Sequence, residues 1–408
     1  MNTTMPYNFD QIIDRRHSDS DKWRKYDEDV LPLWVADMDF VSPEPVIRGL
    51  AERVAHGVFG YGVEPQELRE LLATRLRDLY GWSVPTEAIV FVPGVVVGFN
   101  VACRAIAAAG DGILVQTPVY GPILDAPGNC GMTRDEMELT RGANGRYTVD
   151  LDRMAATISD RTRGFLLCSP HNPVGRVFEP TELATMADLC LKRDLTIISD
   201  EIHCDLVFSG YRHTPIATLA PEVATRTITV MAPSKTFNIA GLGCSFAVIP
   251  NPDLRKRYQA AGKDIVPHVD LLAFTAALAA YREGGPWLAE CLRYLEGNRD
   301  FVARFVAERL PGIAMSPMEG AYLAWLDCRQ AGLPDAPAKF FLKQARVAMN
   351  DGDWFGRGGE GFVRLNFGCP RATLMEALER MEKALKIEYP RSDSNARPLP
   401  PQGSALIH

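Results

Sequence analysis

Two residues of this 408-residue chain arrive at their positions in the same way. Asp200 closes the run Leu195-Thr196-Ile197-Ile198-Ser199. Lys235 follows the run Thr227-Ile228-Thr229-Val230-Met231-Ala232, within Ala232-Pro233-Ser234-Lys235-Thr236-Phe237-Asn238. Short runs rich in apolar and β-branched residues predict buried strands. A lysine held at a strand end can form a Schiff base with an aldehyde, and an aspartate held there can keep a ring nitrogen protonated. Together they make up the protein half of pyridoxal-phosphate chemistry. Singly, each has an ordinary reading: a solvated loop lysine, and an aspartate capping a helix. The pair gains weight from what else reaches strand ends.

Val92-Pro93-Gly94-Val95-Val96 reads as strand, turn and helix entry. Helix N-termini present unpaired N–H groups and the positive dipole end, so Val95 and Val96 can hold a phosphate; an ordinary Pro-Gly turn is the alternative. Tyr120, in Thr117-Pro118-Val119-Tyr120-Gly121, can stack on an aromatic ring or simply fill a turn. Asn172 lies in the two-proline loop Ser169-Pro170-His171-Asn172-Pro173-Val174-Gly175-Arg176 and can bond a phenolic oxygen; His171 reads as its neighbour in the loop rather than a base. Arg364 interrupts the apolar alternation Phe362-Val363-Arg364-Leu365-Asn366-Phe367-Gly368. A charge there needs a partner. Bidentate binding of a substrate carboxylate and a structural salt bridge are both open.

These residues require a scaffold that brings strand ends together. Strands are predicted at 89–92, 112–116, 164–168, 195–199, 227–231 and 244–249. Helices are predicted over Glu67–Leu79, Val95–Ala109 and Thr181–Arg193, with a further start near Pro43. The alternation predicts an α/β fold with a mainly parallel, helix-covered sheet, whose ligands bind beyond the carboxyl ends of the strands. Beyond about residue 280 the pattern becomes helix over Trp287–Leu310, short strands within 313–326 and 362–367, and helix over Arg371–Leu385. The expected organisation is an N-terminal segment, 1–50, packing with the small domain; a large cofactor-binding domain, 51–280; a smaller α+β domain, 281–388; and a disordered tail, 389–408, rich in Pro, Ser, Asn and Gly.

Composition is that of an ordinary globular protein, 47% hydrophobic and 23% charged. The net charge of −7 argues against a nucleic-acid or anionic-membrane partner. None of the nine cysteines falls in a C-x-x-C pair, so no metal site is expected, and the usage fits a reducing cytosol. The polar start of the chain shows no signal peptide, and no run is long enough to predict a transmembrane helix.

Read as a whole, the chain resembles the fold-type I pyridoxal-phosphate enzymes of the aminotransferase class I/II superfamily. More narrowly, it is similar to the MalY/PatB-type cystathionine β-lyases, or C–S lyases. The likeness rests on Asn8-Phe9-Asp10 with Asp14-Arg15-Arg16, on Pro32-Leu33-Trp34-Val35-Ala36-Asp37-Met38-Asp39-Phe40, and on His56-Gly57-Val58-Phe59-Gly60-Tyr61. It continues through the Asn172 loop, through Ser199-Asp200-Glu201-Ile202-His203-Cys204-Asp205-Leu206, and through the Lys235 motif, over about residues 8–386.

The resemblance implies a seven-stranded large-domain sheet and a homodimer with shared active sites. Lys235 would bind the cofactor covalently and then shuttle the α-proton. Asp200 would pair with the ring nitrogen, Asn172 with the phenolic oxygen, and Tyr120 would stack on the ring. Val95, Val96 and Ser234 would hold the phosphate, with Tyr61 from the other subunit, and His203 would lie at the cofactor. Arg364 would bind the substrate carboxylate, with Asn172, Tyr61 and Asp37 also at the substrate. The implied activity is β-elimination of cystathionine or related cysteine S-conjugates to a thiol, pyruvate and ammonia. Transamination, or action on a bulky S-conjugated amino acid, are the alternatives, and some members of the subgroup also bind a transcription factor. Two departures stand out: Gly243 lies eight residues after Lys235, where many aminotransferases carry a phosphate-binding arginine, and His203 stands where they often have tyrosine.

Overall fold

The structure, a computed structural model, describes residues 7–388; the proline-rich tail lies outside them. Seven strands build the large sheet: β1 Ile89–Val92, β2 Gly112–Thr117, β3 Thr133–Glu138, β4 Thr162–Cys168, β5 Thr196–Asp200, β6 Thr227–Met231 and β7 Ser245–Val248. Their order across the sheet is β1-β7-β6-β5-β4-β2-β3. Only β7 runs antiparallel, to both of its neighbours.

The core strands read as continuous apolar runs because both faces are covered. Leu166, Cys168 and Ile198 pack on one face; Phe165, Leu167 and Ile197 pack on the other. Helices α1 Glu44–Ala55, α2 Gln66–Tyr80, α3 Val95–Ile106 and α4 Pro180–Lys192 precede or flank these strands. On α3, Gly98 lets the helix approach the sheet: a Cβ there would lie 2.8 Å from the Val230 side chain. Leu183, Met186, Ala187 and Cys190 of α4 cover the opposite face. Edge strand β3 is charged and largely outside the core, which is why its sequence shows no strand pattern.

Helices α5 Leu271–Glu283 and α6 Gly285–Arg309 lead into a smaller sheet of β8 Ala314–Met315, β9 Leu323–Asp327, β10 Asn350–Asp351 and β11 Phe362–Asn366, followed by α7 Arg371–Glu388. This sheet is antiparallel, in the order β8-β9-β11-β10. In its register Arg364 lies opposite both Trp325 and Asn350, and Trp325 stacks on Phe362 with ring centroids 4.9 Å apart.

The contacts of the N-terminal segment divide. Leu31 and Pro32 pair in parallel with Val347 and Ala348 of the small domain, whereas α1 packs along α5, with Gly49 against Ala279. Among the described residues no helix is long and apolar enough to cross a membrane.

Candidate active site

Parallel register sets the carboxyl ends of three strands side by side: Asp200 pairs with Cys168 on β4 and with Val230 on β6. The chain leaving β6 turns at once into the short helix Pro233–Thr236, which carries Ser234 and Lys235. Beyond these ends opens a cavity of about 780 Å³ lined, among others, by Val95, Val96, Tyr120, Asn172, Asp200, His203, Ser234, Lys235 and Arg364. Residues from four strand ends, a helix start and the small domain thus meet in one place.

The cavity floor is dry enough to disturb its ionisable groups. Asp200 accepts the Ile202 N–H at 3.1 Å, and burial pushes its carboxyl up to about 7. It therefore ionises readily only beside a cation. Lys235 Nζ donates to the Ala36 carbonyl at 2.6 Å, and desolvation pushes its amine down to about 8, against the pull of Asp37 and Asp200. Near neutral pH a usable fraction is therefore the free base. Burial also lowers His203, to about 3, so its ring is neutral, and its Nδ1 has no partner among the described residues. His171 sits between the Cys168 and Pro118 carbonyls, at 3.1 and 2.9 Å, as a brace for its loop.

Arg364 is 2% exposed. Its Nη1 donates to Asn172 Oδ1 at 3.0 Å, and its Nη2 to the Trp34 carbonyl at 2.9 Å and Asn350 Oδ1 at 2.7 Å. All three acceptors are neutral. Among the described residues no carboxylate forms an ion pair with it, and its Nε has no partner. The structural salt bridge is therefore absent, and burial without a counter-charge pulls the guanidinium down to about 10. Asn172 holds this arginine through its oxygen, which leaves its amide hydrogens for another acceptor.

At the other end, α3 begins with no side chain capping it, and a Cβ on Gly94 would meet nothing within 4 Å. Its first N–H groups are open to an anion. Tyr120 lies on the cavity wall, edge-on to Trp354 with ring centroids 5.5 Å apart. Gly243 has a packing reason: a Cβ there would lie 2.5 Å from the Pro93 carbonyl oxygen. No arginine fits at that position without moving the turn that starts α3.

Two expected residues lie elsewhere. Tyr61 is fully exposed, at 109%, on the segment after α1 and does not line this chain's cavity. Asp37 does not line it either. Its carboxylate is taken by Arg15 at 2.8 Å and lies 3.6 Å from Lys22, beside the Lys22–Asp39 pair at 2.6 Å. A charge in a family motif looked like a substrate ligand. Here it belongs to an ion network with Arg15, Lys22 and Asp39, while its charge is also felt at the Lys235 amine.

That strip is fixed by residues the sequence did not single out. Asn366 donates to the Val35 and Asp37 carbonyls at 2.5 and 2.7 Å, and the Tyr322 hydroxyl donates to the Ala36 carbonyl at 2.9 Å. Asn238, three residues after the lysine, accepts the Met38 N–H at 2.9 Å and donates to the Met38 and Phe40 carbonyls at 2.9 and 2.8 Å. It does so from a left-handed backbone, φ +55°, which asparagine tolerates and alanine does not. Asn238→Gly keeps this backbone angle but loses the bonds and frees the unfolded chain, and is expected to lower stability by about 1–3 kcal/mol, with Asn238→Ala lower still. Urea unfolding of both variants checks the order; equal stability of wild type and Asn238→Gly refutes the clamp.

The site fits pyridoxal phosphate on its own evidence: an amine of lowered basicity, a buried carboxyl that needs a cationic partner, an uncapped helix start, and unpartnered Nε of Arg364 and Nδ1 of His203. No cluster of residues able to hold a metal ion occurs among the described residues. Comparison with known proteins agrees. The family model for aminotransferase class I and II matches residues 28–381. Cystathionine beta-lyase PatB of Bacillus subtilis (strain 168) is 39% identical over 386 residues, spanning 93% of this chain and 100% of PatB. The crystal structure of OvoB is 47% identical, with a TM-score of 0.89 over 93% of this chain and 99% of that one. The PLP-bound C–S lyase of Staphylococcus hominis is 33% identical, with a TM-score of 0.88 over 94% and 99%. The chain belongs to the aminotransferase class I and II family, and its cofactor is pyridoxal phosphate.

Proposed function

We propose that this enzyme is a C–S β-lyase that cleaves cystathionine or related cysteine S-conjugates to a thiol, pyruvate and ammonia. The observation that carries this reading is the likeness to PatB along nearly the whole of both chains. It is supported by a buried arginine without a counter-ion and a lysine of lowered basicity in one cavity.

Pyridoxal phosphate, when bound, supplies an electrophilic carbon for the substrate amine and a protonated ring that draws electrons from Cα. Lys235, Asp200, Asn172, Tyr120, Ser234 and the N–H groups of Val95 and Val96 would hold it. Arg364 grips the substrate carboxylate, which fixes the direction of the Cα–H bond. Lys235, as free amine, takes the Cα proton. The Cβ–S bond then breaks, and the sulfur leaves with its electron pair as thiolate. Trp34, Tyr26 and Trp354 also line the cavity, whose volume of about 780 Å³ suits a bulky sulfur substituent and favours larger S-conjugates as the second reading.

The active unit in this reading is a cytosolic homodimer. The apolar, exposed side chains Val58, Phe59, Tyr61 and Val63 support a subunit contact, through which Tyr61 reaches the neighbouring phosphate. Nine unpaired cysteines suit a reducing compartment. In this reading residues 51–280 bind the cofactor and residues 281–388 bring Arg364 to the cavity.

Purified enzyme with pyridoxal phosphate and L-cystathionine is expected to release thiol, pyruvate and ammonia without any keto-acid acceptor. Turnover that requires pyruvate or 2-oxoglutarate, with a new amino acid formed from it, would make the enzyme a transaminase and overturn the proposal.

A further inference from the structure

The Ala36 carbonyl is shared by two donors of different chemistry, Lys235 Nζ at 2.6 Å and the Tyr322 hydroxyl at 2.9 Å. Tyr322 is buried, 1% exposed, just ahead of β9, with its ring edge-on to His203 at 6.3 Å. We infer that Tyr322 is a positioning residue for the proton transfer: with the Ala36 carbonyl it forms the seat that holds the Lys235 amine when that amine is free of the cofactor. The inference rests on the assignment of Lys235 as the base.

The chemistry follows from the acceptor. A carbonyl oxygen has two lone pairs and no proton. The tyrosine hydroxyl occupies one lone pair, so the amine has a single direction left from which to donate. A neutral amine that donates one N–H there has its second hydrogen and its lone pair left for the two remaining tetrahedral positions, both directed away from the carbonyl, so the lone pair is free to meet the Cα–H bond. The Cα–H bond breaks, the proton joins Nζ, and the electron pair stays on the substrate side. The strip that carries Ala36 is itself held from both sides, by Asn366 from β11 and by Asn238 beside the lysine. The seat therefore stays put while the lysine moves.

Sharing also sets how strongly the seat favours a charged amine. Tyr322 draws on the same oxygen, so the carbonyl is a weaker acceptor for an ammonium than an unshared one. Asp37 from the N-terminal strip and Asp200 from β5 favour the charged amine, and Arg364 from β11 opposes it. His203, after β5, is neutral and adds no charge. Removing the tyrosine hydroxyl strengthens the acceptor and leaves these charges unchanged. The amine then holds its proton to higher pH.

Tyr322→Phe deletes one oxygen and no volume. The expected result is an upward shift of roughly half a pH unit in the acid limb of kcat, the profile that reports the enzyme–substrate complex in which Lys235 is free, with kcat down about tenfold and KM little changed. The same shift is expected in the full-length chain stripped of cofactor, when acetylation of Lys235 by acetic anhydride is followed across pH by peptide mass spectrometry. That second curve needs no turnover, so it stands even if the substrate assignment fails. Acid limb and acetylation curve both superimposable on wild type would overturn the inference. So would a change confined to KM, which would make Tyr322 a substrate contact instead.

Discussion

Replacement of Lys235 by alanine abolishes turnover, with kcat lower by on the order of 10⁴ or more, and removes the visible absorbance band of the lysine-bound cofactor. The size follows from two functions lost at once. Among the described residues lining the cavity, Lys235 is the only lysine that follows a sheet strand; the other two, Lys25 and Lys339, are exposed. In the proposed mechanism its amine, pushed down to about 8, is both the nucleophile that links the cofactor and the base for the α-proton. The variant should still fold, because the amine makes one hydrogen bond, to Ala36, and its removal relieves a desolvated charge. Thiol and pyruvate release, read beside the absorption spectrum and the unfolding midpoint, tests this. A folded variant that retains the band or the activity would remove Lys235 from the site.

How much of this was legible in the sequence depended on whether a residue's role was local. Leu195–Ser199 and Thr227–Ala232 announced strands because both faces of the sheet are buried, so the apolar run is unbroken. Strand β3, Thr-Arg-Asp-Glu-Met-Glu, did not, because an edge strand meets water and its pattern is charged. Helix 121–129 was hidden by its own composition, with Pro127 inside, Gly121 at its start and Gly128 near its end. Lys235, Asp200 and Arg364 stood out because each is a charge placed against an apolar run.

Asn238, Asn366 and Tyr322 did not, because their work is done across the fold, on the backbone of a strip some two to three hundred residues away. Asp37 is the converse case. Its motif pointed to the substrate, whereas the partners the fold gives it are Arg15 and Lys22, which the sequence did not pair with it. Gly243 shows how a departure from a family pattern becomes intelligible only in three dimensions, through the Pro93 carbonyl beside it.

Arg364 provides the second large effect. Its guanidinium is buried among acceptors that carry no charge, so it lacks the counter-ion that would make its burial cheap. A substrate carboxylate supplies that ion. Arg364→Ala is therefore expected to weaken amino-acid binding by about 2–4 kcal/mol, on the order of 30- to 1,000-fold in kcat/KM. Arg364→Lys should recover little, because an ammonium cannot reproduce the planar fork held by Asn172, Asn350 and Trp34.

Loss of packing would also lower activity, so the deciding comparison is between ligands. L-alanine and the corresponding amine without a carboxylate are both tested as competitive inhibitors of wild type and of Arg364→Ala. If Arg364 recognises the carboxylate, the substitution erases the advantage of alanine and leaves the amine almost unaffected. If both ligands weaken equally, the arginine holds the small domain against the cavity and does not read the substrate. The three neutral partners favour the first outcome. They orient the guanidinium without neutralising it, which is what an arginine awaiting an anion requires.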